Sequence, residues 1–398
     1  MNIRTLIERI QRIIDKNRNE IRGILLRQYP AYVLSDRVET VTQIPVFVFH
    51  DVSVGSLEPV VAFLAHNGYT TLTADEYYER ITHPALEQQR EVLLTFDDGH
   101  KSLYAVAYPI LQRYGFNAVA YIVPGIVSEG DEAVGADHYE GHVCNWKQIR
   151  EMHERGILDF QSHSMYHHSI SIRPQVIDFV RPGLNRSYYE SSVISHYDSS
   201  VVPLIQENGQ LKRSPVLPYG TPLYSWKPRF AEAPAFRESR SVRQACVQHV
   251  DRFGGADYFR TSDWRRGLRA VLVEARQKDP APGFESAGEQ RRAILEDFLN
   301  SKHEIERRLP AKTVRHFCYP WFQGSALAAA LSAEAGYVSN AWGSLLPNFV
   351  AGTHGPLPVA RLSPTYIWRL PGTGRRPLRE LLLERLAQIY NSTRPPRR

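Results

Sequence analysis

The chain alternates between short apolar runs and longer stretches of helical periodicity. IPVFVFHDV, Ile44 to Val52, is apolar on both faces and ends in His-Asp, the pattern of a buried strand. LEPVVAFLAHNGYTTLT then reads as a helix, a glycine stop at Gly68 and a short strand. Val92–Phe96 is a second buried strand, and Ala105–Gly115 a helix closed by glycine. FNAVAYIVPG, the helix Trp146–Gly156 and the strand LDFQSH repeat the alternation. Such a succession predicts an α/β fold, a mostly parallel sheet or barrel with helices outside. Chemistry in these folds gathers where strands end. His50, Asp97, Asp98 and His163 all fall at such ends.

The alternation stops from about Ile170 to Gly288, a stretch rich in Pro, Ser, Tyr and Arg. It is too long for a loop in a compact domain, so it is either an inserted subdomain or partly mobile. The pattern resumes with the helix EQRRAILEDFLNSKHEIERRL, the strand VRHFCYP, the helix ALAAALSAEAGY and the strand VSNAWG. A helix around LRELLLERLAQIY and a basic, proline-containing tail close the chain. At the other end Leu6, Ile10, Ile13, Ile14, Ile21, Ile24 and Leu25 recur at helical spacing, with arginines and lysines on the other faces. This arm is expected to pack on its own protein or on a second copy, as a homo-oligomer contact. Lying on an anionic membrane surface is the other use of such a helix.

Composition changes this picture little. The formal charge of +6 over 398 residues suits an anionic partner but is common among soluble proteins. Basic residues are dispersed and no nucleic-acid motif is present. Cys144, Cys246 and Cys318 are widely spaced and form no CxxC pair, which argues against a disulfide framework or a cysteine zinc site. No apolar run is long enough to span a bilayer, and the N-terminus lacks the features of a secretory signal. The expectation is a cytoplasmic protein, with peripheral membrane association as an option.

Two features carry chemistry. EVLLTFDDGHKS ends a buried strand in Asp97 and Asp98, followed by Gly99, which permits a tight turn. SHSMYHH, Ser162 to His168, follows another strand, and His163 and His167 or His168 can meet one ion. One Asp and two His supply three protein ligands and leave a position open for water. The other carboxylate is then free to act as a base.

TFDDG (Thr95–Gly99) and His163–His167 resemble the first two motifs of the polysaccharide deacetylases, carbohydrate esterase family 4, with its NodB-homology domain. HFCYPWFQGS, followed by AEAGY, is similar to the family's third motif, and IPVFVFHDV to the opening strand of the branch acting on poly-N-acetylglucosamine-type polymers. The resemblance implies a distorted (β/α) barrel over 44–365, interrupted by an insertion at 171–288. It is flanked by the arm 1–43 and the helix and tail 366–398. It implies a metal-dependent hydrolase that removes N-acetyl groups from a glycan or glycoconjugate and releases acetate. A hydrolase of small or cyclic non-sugar amides and a non-catalytic glycan-binding protein are the alternatives.

Carried over by position, Asp97 is the base, and Asp98, His163 and His167 hold a divalent metal, first of all Zn2+, with Ni2+, Co2+ or Mn2+ as options. The Tyr319 backbone N–H faces the oxyanion, His50 is the acid, and Trp321 and Pro320 border the substrate. His167 is preferred over His168 because a spacing of four is commoner in the family. The arginine that steadies the base in many members is replaced by Cys318. The usual C-terminal histidine motif has only a poor counterpart in His354. Tyr188, Tyr189, Tyr219, Tyr224 and Trp226 in the insertion are candidate sugar contacts or simply packing.

Overall fold

The computed structural model describes residues 20, 22–41, 43–83, 90–130, 143–184, 204–207, 210–213, 217–281, 283–350 and 355–392, the backbone alone for 204–207, 210–213 and 386–392. Most of the N-terminal arm, Tyr188, Tyr189, His354 and the tail from 393 lie outside the described residues.

The first half of the barrel follows the alternation closely. Strand β1 (Val46–Phe49) leads into helix α1 (Val54–His66), capped by Ser53 and Ser56, and then into β2 (Thr70–Thr71). Helix α2 (Ala74–Thr82) starts in a Thr73–Glu76 capping box, which satisfies amides the first turn would otherwise leave bare. Strand β3 (Glu91–Asp97), helix α3 (Tyr108–Tyr114), β4 (Ala118–Ile122), α4 (Trp146–Glu154) and β5 (Leu158–Ser162) follow.

The inserted segment contains β6 (Ser169–Phe179), β7 (Leu204–Glu207), β8 (Gln210–Arg213), β9 (Pro222–Pro228), β10 (Phe236–Arg237), α5 (Arg240–Arg252), α6 (Trp264–Lys278) and β11 (Gly283–Phe284). β6 and β9 pair antiparallel, and α5 packs with α6 around Phe179, Val242, Cys246, Val250, Leu268 and Leu272. The segment read as irregular therefore holds two full helices and a core of its own.

Helix α7 (Ala287–Arg308) returns the chain to the barrel, followed by β12 (His316–Cys318), α8 (Ala326–Glu334), β13 (Ser339–Ala341) and β14 (Leu357–Val359); helix α9 (Leu378–Ser392) comes last. The strands run in the order β1-β3-β4-β5-β12-β13-β14, with β2 on β3, and the pairs between neighbours are parallel. Leu362, just past β14, pairs with Phe47. Its N–H donates to Val46 O and its carbonyl accepts from Val48 N–H, at 2.8 and 2.9 Å. The sheet thus closes on itself as a distorted (β/α) barrel, with β14 an addition to the strands read from sequence.

Alternation within each strand sorts the core. Val92, Leu94 and Phe96 of β3 face the helices, whereas Leu93 joins Val46, Val119, Tyr121, Cys318, Ala341 and Val359 inside the barrel. Asp97 is in step with Leu93 and Thr95, so the same parity turns its carboxylate inward. No helix of the described residues is long and apolar enough to cross a membrane.

Candidate active site

The two carboxylates part company at the end of β3. Asp97 is the last strand residue and is 1% exposed. Asp98 and Gly99 both take left-handed backbone, φ 67° and 70°, which swings the Asp98 side chain out of the strand's parity toward β5. That conformation costs a non-glycine residue free energy. Asp98, Ser164, His167, Trp321 and Phe322 all adopt it, with φ between 52° and 70°. Such concentration at one rim marks a place where geometry outranks local preference.

Asp97 is a buried anion with a fixed counter-ion. The Arg361 guanidinium donates to both oxygens, at 2.6 and 2.8 Å, and is itself fully buried. Arg361 also donates to Thr95 Oγ1 and Trp342 O, and its guanidinium lies against the rings of Tyr121 and Phe322. Burial works to raise the Asp97 pKa, yet Arg361 foremost, with His163 and His50, holds it below the usual carboxylate range. Cys318 Sγ lies 2.8 Å from Arg361 Nη2. The small thiol leaves room for the guanidinium to arrive from the segment after β14. Sequence reasoning missed Arg361; two residues after Val359, it shares that residue's inward parity, which was the available signal.

Asp98, His163 and His167 converge. Asp98 Oδ1 lies 3.3 Å from His163 Nε2 and 3.6 Å from His167 Nε2. His163 donates its Nδ1–H to Cys318 O at 2.9 Å, which turns Nε2 toward Asp98. Burial works to lower the His163 pKa, but Cys318 first, then the Asp98 and Asp97 carboxylates, raise it well above normal. A charge-assisted N–H···O bond would be shorter, about 2.7–2.9 Å. Ligands about 2.0–2.1 Å from a tetrahedral ion are about 3.3–3.4 Å apart, close to the separations seen. Burial pushes the His167 pKa down to about 4, so its imidazole is neutral and ready to ligate at pH 7. The donor set fits a divalent metal.

His168, the other candidate, stacks on Tyr166 at 5.0 Å and is not one of the converging groups. A third histidine was not foreseen: His100 Nε2 lies 3.4 Å from Asp98 Oδ2, on the side away from the other two.

The histidine loop is pinned from several sides. His167 N–H donates to Ser164 Oγ at 2.6 Å, and Met165 N–H to Asp297 Oδ1 at 2.8 Å. Gly125 N–H donates to Met165 O, and a Cβ at Gly125 would meet that carbonyl at 2.4 Å, so only glycine fits.

His50 sits at the mouth, half exposed, with Nε2 3.9 Å from Asp97 Oδ2 and its ring edge-on to Phe322. The surrounding walls lower its pKa and the two carboxylates counter them. Trp321 lies 4.1 Å from the His167 ring, and Pro320 is buried beside it.

Tyr319 requires a correction. Its backbone N–H, expected to face an oxyanion, donates to Ala341 O at 3.1 Å and extends the β12–β13 ladder. The residue is fully buried, its ring against Trp342 and its hydroxyl accepting from Asn340. Pro320 has no N–H, so the next amide is that of Trp321, which has no hydrogen-bond acceptor among the described residues.

A closed parallel barrel carries a carboxylate pair at one strand end and two histidines at the next but one, and the family model described as polysaccharide deacetylase matches residues 86–222 of the chain. Among curated proteins, the Bacillus subtilis (strain 168) protein YxkH, provisionally named as a polysaccharide deacetylase, is 29% identical over 139 residues, 33% of this chain and 46% of that one. The poly-beta-1,6-N-acetyl-D-glucosamine N-deacetylase of Escherichia coli (strain K12) is 28% identical over 150 residues, 35% of this chain and 22% of that one. The chain thus spans less than half the length of these relatives. Among solved structures, a de-N-acetylase from Aggregatibacter actinomycetemcomitans is 17% identical, with a TM-score of 0.49 over 80% of this chain and 94% of that one.

Proposed function

We propose that this chain is a metal-dependent N-deacetylase of a saccharide, releasing acetate and a free amino sugar. The observation that carries the reading is the division of labour at the end of β3. Asp97 is held ionised by Arg361, while its neighbour Asp98 joins His163 and His167 in a set of metal-donor atoms. Asp98, His163 and His167 would hold the ion, for which zinc suits two imidazoles and one carboxylate, with nickel, cobalt or manganese able to substitute. When bound, the metal supplies an acidified water, with a pKa near about 7, and polarises the acetamide carbonyl.

The remaining steps belong to the protein. Asp97 takes the proton of the attacking water, and Arg361 keeps that carboxylate in place and ionised beforehand. The Trp321 N–H, left over beyond the β12 ladder, donates to the oxyanion; one such donor contributes about 3–4 kcal/mol. His50, at the open side, protonates the departing amine. Trp321 and Pro320 form the wall against which the sugar ring lies.

The test is acetate release from N-acetylated oligosaccharides by metal-loaded protein. Asp97→Asn is expected to lower the rate about 10²- to 10⁴-fold, and a chelator to abolish it. Release that survives both treatments would overturn the mechanism. Turnover of cyclic amides without any acetate from sugars would redirect it to another amide.

A further inference from the structure

The inserted segment leaves the barrel next to the metal-donor loop: β6 begins two residues after His167. Its partner β9 runs back toward the same rim and delivers Trp226, opposite Ser171. The Trp226 ring stands 5.3 Å from Trp321 at 53°, and Trp321 stands 4.1 Å from His167 at 52°. Three rings therefore step outward from the site: an imidazole, an indole of the barrel, and an indole of the insertion.

Trp226 is held there firmly. Three residues on, Arg229 N–H donates to His168 O at 2.8 Å. The Arg229 side chain forms a buried, bidentate pair with Glu285 at 2.8 and 3.0 Å. Phe230 is buried against Phe298, Phe317 and Tyr319 of the barrel. Two residues before Trp226, Tyr224 is buried in the insertion and donates to Glu238. Trp226 itself is only half-buried, the partly uncovered aromatic in a strand whose neighbours are locked.

We propose that Trp226 and Trp321 together form a two-ring platform that seats a second sugar residue beside the one losing its acetyl group. The insertion thereby makes the site selective for a chain of N-acetylhexosamines over a single residue; this rests on the deacetylase reading above. Trp321 alone suffices to stack the reacting ring at the metal side. The second indole, tilted and one ring further out, adds apolar surface where the next pyranose of a chain lies, and pyranose C–H faces pack on indole as other apolar groups do. Trp226 is a specificity residue in this scheme and takes no part in the chemistry.

The experiment compares the zinc-loaded full chain with Trp226→Ala and Trp226→Phe. Substrates are N-acetylglucosamine and its β-1,6- and β-1,4-linked tetramers, with acetate release as the readout. Trp226→Ala is expected to reduce the tetramer-to-monomer ratio of kcat/KM roughly tenfold, the equivalent of one aromatic stacking contact, mainly through KM. Trp226→Phe restores most of the ratio. An unchanged ratio, or a loss confined to kcat for both substrate lengths, overturns the platform and makes Trp226 a packing residue. Tetramer binding to the Asp97→Asn chain, by calorimetry, separates the two readings. If the wild type releases no acetate from any sugar, the deacetylase reading fails. The platform still stands or falls on whether Trp226→Ala weakens that binding.

Discussion

The barrel and the segment inserted between β5 and α7 place their charges in opposite ways. Inside the barrel the inward polar groups are buried with partners, Gln161 on Asp159 and His316 on Ser339, and at the C-terminal rim Asp97, Arg361 and His163 are all 2% exposed or less. The insertion keeps a small apolar core between α5 and α6 and lodges a polar cluster, Tyr224, Glu238 and Arg276, beside it. A charge in the first setting must have its partner built in, because water cannot substitute. In the second, Arg276 is 28% exposed and can exchange its partner for solvent at modest cost, although the Arg229–Glu285 pair is as buried as the barrel's. The rim is thus intolerant of change and suited to chemistry, while the insertion can vary and is suited to selection among substrates.

Arg361→Met is the sharpest way to break that contrast. It strands the Asp97 carboxylate and is expected to destabilise the fold by about 3–5 kcal/mol in chemical denaturation. Adding Asp97→Asn should recover much of that loss, because the uncompensated charge is gone. A single variant as stable as wild type would show that water reaches Asp97.

Leu268→Ala, in the insertion's core, is expected to cost about 2–5 kcal/mol, concentrated there. Hydrogen exchange should quicken over 240–278 and leave the β3–β5 strands protected. Equal loss of protection in both would mean that the two regions unfold as one.

Asp297, on α7, holds the histidine loop of the rim in a pH-dependent way. Burial pushes its pKa up to about 7, against about 3.9 in an unfolded chain. The folded state holds the proton more tightly, so this group's stabilisation is full below about pH 4. It declines as pH rises and is lost above about 7. Asp297→Asn keeps an acceptor for the Met165 N–H. It should flatten the fall in thermal stability between pH 5 and 8, by on the order of a few kcal/mol at most. An unaltered slope would assign the pH dependence elsewhere.

The smallest effect is expected at His100, whose contact with the outer oxygen of Asp98 orients that carboxylate. His100→Ala should weaken zinc binding about 10-fold in chelator competition, with little change in melting temperature of the metal-free chain. Unchanged affinity would make His100 a bystander.

The barrel strands before residue 162 were legible because each is a compact apolar run ended by a polar residue or glycine. So was the gathering of Asp97, Asp98 and His163 at one rim, since parallel strands put their C-terminal ends together. Arg361 was not legible in the same way. Its partner is 264 residues away, and the strand it follows, β14, has only three residues. Helix α5 left a trace in Val242, Cys246 and Val250, spaced by four, but the surrounding Pro, Ser and Arg obscured it. The Tyr319 amide could not be judged from sequence, because whether an N–H is free depends on the neighbouring strand.

Leu362 closes the barrel and Arg361, beside it, neutralises Asp97. One dipeptide near the C-terminal end therefore completes both the architecture and the charge balance. During synthesis the ribosome releases β3 long before that dipeptide exists. Until it arrives, the nascent chain has an inward carboxylate with no cation to meet it, which disfavours premature collapse around Asp97. A product truncated before residue 361 would carry an open sheet edge and an uncompensated anion at once.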